Sequence, residues 1–313
     1  MQQYYFNRIY SLSIGFTLQP NQAKEFSGLR VAFDVVKSEG GPSTCEITIN
    51  NLSDETRAWI KEGTDAEGKG GMTVVLKAGY EELHGRQNLP ILFMGNIVTI
   101  YHDVTKPEIV THLTCCEGIL SIKKSHFHKS YPAGVKIAQI VNDAIFAIGI
   151  TTQSGKEFSF TALGKTDYVA NRGYSFTGNA ADLLDKIAQG YGLRWSIQNN
   201  KIKIVSKFNS DKTPGRDSNP AVKGIVIGSP KRLGADKTGV ESADFHGYEF
   251  DCLLLPEAEI NGTVELSSKT IPNSPTKLVV AEIHHAGDSH GDEWKTTIKG
   301  RKIQNASIEI VKM

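Results

Sequence analysis

The sequence predicts a mainly β protein with an α+β module in its middle. Three observations carry that expectation: period-two alternation of apolar residues at both ends of the chain, a switch to helical spacing between about 124 and 215, and turn dipeptides between the apolar runs.

The first segment, residues 1–123, is strand-rich. Its opening, MQQYYFNRIYSLSIGF, lacks the charged region and continuous apolar core of a signal peptide and is expected as a strand of the mature chain. Phe33-Asp34-Val35-Val36-Lys37 and Cys45-Glu46-Ile47-Thr48-Ile49-Asn50 follow, with Ile47 and Ile49 alternating with Glu46 and Thr48. Ser53 precedes Asp54 and Glu55, a helix start in which a hydroxyl accepts from a first-turn N–H and acids meet the positive helix end. That short helix contains Thr56-Arg57 and ends at DAEGKGG. Thr73-Val74-Val75-Leu76 and Ile109–Cys115 supply further β-prone runs, with the GYEELHG run as a solvated loop. Seven or so strands and one short helix make a small antiparallel barrel or sandwich.

In the second segment, residues 124–215, Val135, Ala138, Ile140, Val141, Ala144, Ile145 and Ile148 mark one face of a helix that stops at Gly149, and Ile150-Thr151-Thr152 is expected as a strand. The pattern returns with Asn179 as cap, Leu183, Leu184, Ile187 and Ala188 on one face, a stop at Gly190 or Gly192, and the strand Leu193–Ile197. One helix–Gly–strand unit is thus used twice. Asn199-Asn200 turns the second strand back into Ile202–Val205, and KFNSDKTPGRDSNP, residues 207–220, reads as a linker.

The third segment, residues 216–313, is β again. Lys223–Ile227 is expected as a strand that ends at the turn Gly228-Ser229-Pro230. Then come FDCLLLPEAEI, a turn at Asn261-Gly262 with Gly262 expected at positive φ, and two alternating runs. Val264, Leu266 and Ser268 alternate with Thr263, Glu265 and Ser267, and Leu278, Val280 and Glu282 with Val279, Ala281 and Ile283. Gly287-Asp288 and Gly291-Asp292 close the second run, and the tail NASIEIVKM could add one more strand.

Composition narrows the function. Lys plus Arg number 35 against 34 Asp plus Glu, so no global basic excess marks a nucleic-acid binder or a membrane-surface protein. No apolar run approaches the ~20 residues of a membrane helix. Cys45, Cys115, Cys116 and Cys252 include no CxxC, and adjacent Cys115 and Cys116 on a strand face opposite ways, so reduced packed thiols are expected. Trp59, Trp195 and Trp294 lie in three different segments, each expected to anchor its own core.

His284, His285, Asp288, His290 and Asp292 form the one constellation with catalytic residue types, and imidazoles with carboxylates at short spacing can hold zinc. On a strand, however, His284 and His285 point to opposite faces, and the Gly-Asp pairs belong to turns. No GxSxG, HExxH, Walker A loop or strand-linked GxGxxG is present, and Glu81 and Glu82, being adjacent, diverge. The expectation is no catalytic residue, no cofactor and no metal.

Two ordered sets of words resemble a known family. LLLP, INGTVELSS, a turn and VVAEIHHAGDSHGDEWKT at one end, with FDVVK, CEITINNLS, Thr56-Arg57 and ILFMGNIV at the other, are similar to tailed-bacteriophage baseplate hub proteins. The middle matches in architecture more than in letters. The resemblance implies two tail-tube-like antiparallel β-barrels, in the first and third segments, and a non-enzymatic hub subunit of a phage or phage-like contractile tail, a tailocin included. It implies a homotrimer whose six barrel positions adapt the sixfold tube to the threefold spike. Its partners would be the tail tube or distal tail protein, the central spike, the tape-measure protein and baseplate wedge proteins, with DNA only in transit during genome ejection. Assembly would occur in the bacterial cytoplasm, without membrane insertion. A type VI secretion part is a close relative of this reading. The alternatives from other classes are a peptidoglycan-binding tail-tip module and a metal-dependent hydrolase using the His284–Asp292 cluster.

Overall fold

A computed structural model of the chain describes residues 6–17, 22–39, 41–65, 71–105, 107–152, 154–206, 222–234, 246–271 and 274–302. The segment expected as a linker, 207–220, and the C-terminal tail lie outside the described residues. The first segment forms β1 (Arg8–Phe16), β2 (Lys24–Phe26), β3 (Val31–Ser38), β4 (Gly41–Pro42), β5 (Thr44–Asn50), α1 (Asp54–Asp65), β6 (Met72–Tyr80), α2 (Glu81–His84), β7 (Ile91–Thr105), β8 (Glu108–Cys116) and α3 (Ile119–Lys124). The second forms β9 (His126–Tyr131), α4 (Ile137–Ile148), β10 (Tyr174–Asn179), α5 (Ala180–Tyr191), β11 (Leu193–Gln198) and β12 (Lys201–Ser206). The third forms β13 (Val222–Lys223), β14 (Val226–Leu233), β15 (Gly247–Leu253), β16 (Thr263–Leu266), β17 (Thr276–Asp288) and β18 (Trp294–Lys302).

Local chemistry explains the element ends. Ser53 Oγ accepts from the Thr56 amide at 3.3 Å, the expected cap of α1. Asn179 Oδ1 accepts from Ala181 N at 2.9 Å at the start of α5, and Gly149 and Gly192 close α4 and α5 in the left-handed region. Asn199 and Asn200, both at positive φ, give the β11–β12 turn the twist a two-residue hairpin needs.

Four local expectations are corrected. Thr152 makes a single parallel bridge to Ile202 in place of a strand at Ile150–Thr152, because the chain turns away at once, with Gly155 N donating to Thr152 O at 3.0 Å. Gly228-Ser229-Pro230 lies inside β14 as a break in register between Ile227 and Lys231, so the strand continues past it. GYEELHG holds the one-turn helix α2, with Glu81 paired to Arg86 at 2.6 Å. At the β16 entrance Asn261 carries the positive φ of 61°, while Gly262 is needed for space: a Cβ there would stand 2.9 Å from Glu259 O.

The first and third segments share one 13-stranded sheet, and its main path runs β14-β15-β18-β17-β3-β5-β8-β7-β6-β1-β2. The seam between them is antiparallel pairing of Glu282–Asp288 with Ala32–Ser38. A register shift between Val280 and Glu282 makes this seam workable. Before it, Leu278 and Val280 enter the core; after it the phase flips, so Ile283 and His285 point inward and Glu282 and His284 outward.

Three apolar clusters underlie the chain. The first gathers Leu12, Ile47, Leu76, Phe93 and Leu113, and also Leu254 and Trp294 from the third segment. The second packs α4 and α5 on β11 through Ile140, Val141, Leu183, Leu184 and Trp195, and the third contains Phe250, Leu266, Val280, Ile283 and Ile298. Each fully buried Leu or Ile is worth roughly 1.5–3 kcal/mol relative to exposure. Trp294 therefore does not anchor the core of its own segment: its ring meets Phe33 edge to face at 5.4 Å. Trp59, half-buried, meets Phe16 in the same way at 5.9 Å.

The middle module is clamped to the end of the sheet where β3 turns toward β5. β4 pairs in parallel with Ser196 and Ile197 of β11. Glu39 accepts from Arg194 Nη1 at 2.7 Å, and Glu117 accepts from the Asn199 amide at 3.1 Å. Lys203 Nζ donates to Ile260 O at 2.9 Å, tying the same module to the third segment.

Candidate functional surface

Alternation along eight neighbouring strands builds one large polar face. Directly opposed residues of a sheet point the same way, so the pairing gives its rows. One row runs Asp251–Thr297–His284–Val36–Thr44–Cys116, and another Lys295–Ala286–Asp34–Glu46–Thr114–Thr99. Behind the first row stands its core counterpart, Cys252–Thr296–His285–Val35–Cys45–Cys115–Ile97, buried throughout.

Side-chain hydrogen bonds and close contacts link neighbouring strands across the polar face. Thr297 Oγ1 donates to Asp251 at 2.6 Å, Lys299 Nζ to Glu282 at 2.8 Å, and His284 Nε2 lies 2.7 Å from Asp34 Oδ2. The Glu282 carboxylate raises the Lys299 pKa, so this lysine stays charged. Tyr101 stacks on His112 with ring centroids 4.4 Å apart. Carboxylates outnumber ammonium groups here: Asp34, Glu46, Glu249, Asp251 and Glu282 stand against Lys231, Lys295 and Lys299, although the whole chain has a net charge of +1. A shallow cleft of about 260 Å³ opens on this face between Asp34, Glu46, Asp288 and Asp292.

The His-rich run is dispersed across both sides of the sheet. His285 is fully buried, with Nδ1 2.8 Å from Thr296 Oγ1. Burial first, then Lys37 and His284, hold its pKa well below the usual value, so it is a neutral core residue. His284 faces outward to Asp34, Asp288 accepts from Arg30 Nη2 at 2.7 Å, and His290 Nδ1 contacts Ser289 Oγ at 2.9 Å. The hydrogen bond from Arg30 lowers the Asp288 pKa and the pair closes the rim of the sheet. Among the described residues no three His, Cys, Asp or Glu side chains are grouped as metal ligands.

The cysteines follow the same division into faces. Cys45 and Cys115 sit opposite each other in the core and Cys116 is half-exposed on the polar side. Burial raises all three thiols, and that of Cys252 is pushed up to about 12.

Sequence reasoning missed two groups of residues. The acidic face was present as the polar half of each alternating strand, but which strands adjoin was not. Glu39, which joins Arg194 and Arg301, sits at a strand end with no motif around it.

Comparison with known proteins places this geometry. Residues 12–300 match the model of the family described as baseplate hub gp41. No curated protein matches the chain. Among solved structures, the 43 kDa tail protein of prophage MuSo2 from Shewanella oneidensis is 10% identical, with a TM-score of 0.60 over 94% of this chain and 98% of its own. The tail protein from Neisseria meningitidis MC58 is 8% identical, with a TM-score of 0.59 over 95% and 97%. The Escherichia coli c3393 protein, a type VI secretion component described as structurally similar to T4 tail proteins gp27 and gp5, is 8% identical, with a TM-score of 0.56 over 89% and 75%. At such identities the likeness is one of fold.

Proposed function

The chain belongs to the baseplate hub gp41 family, and we propose that it forms a trimeric ring at the tail baseplate, between the sixfold tail tube and the threefold central spike. Residues 1–123 and 216–313 supply two tube-like barrel positions per copy, and residues 124–215 form the outer module. The presence of three apolar clusters supports that division. The observation that carries the reading is the shared sheet: β17 and β3 join the two β segments side by side with one continuous polar face.

That face lines the lumen. Acidic and hydroxyl side chains suit a channel through which the tape-measure protein and then DNA pass, because each Lys or Arg contact to phosphate would add salt-dependent affinity and slow the strand. On this face each of these lysines has a carboxylate neighbour: Lys299 at Glu282, 2.8 Å, Lys295 at Asp251, 3.7 Å, and Lys231 at Glu249, 3.9 Å. The other side of the sheet carries the first and third apolar clusters, which leaves the polar side for the channel. A tail tube or distal tail protein, the spike and the wedge proteins are the partners at the two ends and the outside of the ring.

Electron microscopy of the assembled particle tests this reading. Three copies per ring, with Asp34, Glu46 and Asp251 bordering the channel, is the expected result. Six or two copies, or a channel lined by another face, would remove the adaptor.

A further inference from the structure

Exposed large apolar side chains are concentrated on two sheet edges. Of the eight among the described residues, Val98, Tyr101 and Val104 lie on β7, and Ile225 and Ile227 lie on or beside β14. Both strands are edges. β14 ends the strand path and pairs only with β15, and β7 beyond Asn96 pairs only with β8 among the described residues. An apolar edge with open N–H and C=O groups is a template for another strand.

We propose that the β14 edge of one copy pairs with the Ile97–Thr105 edge of β7 in the next copy, a head-to-tail contact that closes the ring. The inference rests on the ring reading above and names the surfaces that make it.

Strand parity supports the pairing. From β14 to β7 the path β14-β15-β18-β17-β3-β5-β8-β7 has eight strands, and each neighbouring pair is antiparallel. The number is even, so β14 and β7 run in opposite senses. A copy related by rotation about the ring axis brings its β14 beside β7 in the antiparallel sense, and the alternation continues without a break. The polar faces of the two copies then join into one wall.

Charge agrees with the match. β14 carries Lys231 and Arg232 and no acid, whereas Asp103 is the one charged Asp, Glu, Lys or Arg in Ile97–Thr105. Pro230 and the register break at Gly228–Pro230 remove one donor and bend the edge, which restricts pairing to the flanking residues and disfavours indiscriminate association.

The test uses full-length chains with Ile227→Lys, Tyr101→Asp, and both changes together, since Ile227 opposite Asp251 and Tyr101 opposite His112 lie on the same face, measuring the melting temperature of the purified protein and hub incorporation into particles. Each single change should leave melting unchanged and lower incorporation at least tenfold, because it places an ion on an apolar contact. The double variant should recover to within a few-fold of the parent, because every contact then joins Lys to Asp. Normal incorporation of either single variant, or a double variant no better than the weaker single, would overturn the pairing. If a single variant melts early, Lys231→Glu and Asp103→Lys on the same edges take its place with the same expected pattern. A parental particle with three copies but no recovery rejects only these edges, whereas a parental copy number other than three rejects the ring itself.

Discussion

Glu39 accepts hydrogen bonds from Arg301 Nη1 at 3.0 Å and Nη2 at 2.6 Å, a bidentate pair between strand ends 262 residues apart. Arg194 of the middle module reaches the same carboxylate at 2.7 Å. One acid, 8% exposed, therefore links all three segments.

Glu39→Gln should be among the most damaging single changes. It leaves two guanidinium groups facing a neutral amide, and breaking a buried ion pair costs about 3–5 kcal/mol. Urea unfolding of the purified chain measures it. A stability within about 0.5 kcal/mol of the parent, the ordinary range of surface substitutions, would mean that the junction is held by backbone pairing alone.

The Phe33–Trp294 contact sets a second expectation. A Cβ at Gly287 would lie 2.3 Å from Phe33 Cζ, so Gly287→Ala must push that ring off Trp294. Such overpacking costs about 1–3 kcal/mol, and Trp294→Ala, which empties the site, about 3–5 kcal/mol. Thermal melting with tryptophan fluorescence should show both losses. An unshifted melt in Gly287→Ala would mean that the strands of the seam are wider apart than the pairing requires.

Leu266, fully buried in the third cluster, should cost roughly 2–5 kcal/mol on replacement by Ala. At the preceding turn, Asn261→Gly should be nearly neutral because glycine accepts the positive φ, whereas Gly262→Val brings a side chain against Glu259 O and should lower the melting temperature. The reverse order of these two turn variants would show that the turn has the other geometry.

His285 sets a pH dependence. Its pKa is depressed from 6.5 in the folded chain. Above that value the folded and unfolded forms are both neutral and His285 contributes no pH dependence. Below it the unfolded chain takes up a proton that the folded core refuses, so stability falls as pH drops, by at most about 1.4 kcal/mol per pH unit. Melting curves between about pH 7 and pH 5 should be steeper for the parent than for His285→Gln. Equal slopes would assign the acid sensitivity to other groups. His290→Ala, at the exposed turn, should change neither curve.

Much of the fold was legible because it is local. Alternation gave β3, β5, β6, β8, β16 and most of β17, and helical spacing with Asn179, Gly149 and Gly192 gave α4 and α5. These signals depend on neighbours a few residues apart, and short-range chemistry fixes them. The misread places are those where a distant contact overrides the local preference. β14 continues through Gly-Ser-Pro because β15 pairs with it on both sides of the break. Gly262 needs space rather than a special φ because Glu259 folds back over it.

The sequence by itself determined most of the strand and helix content, the inward and outward faces of strands without a bulge, the opposite placement of His284 and His285, and the words shared with the hub family. Only the tertiary structure decided that the first and third segments merge through β17 and β3, that Trp294 fills the core of the first, and that Glu39 ties the three segments together. It also decided that scattered acids gather on one face of a nearly neutral chain. The physical reason is that side-chain direction along a strand has a period of two and is written locally, whereas strand order and register are fixed by hydrogen bonds and packing between residues hundreds of positions apart.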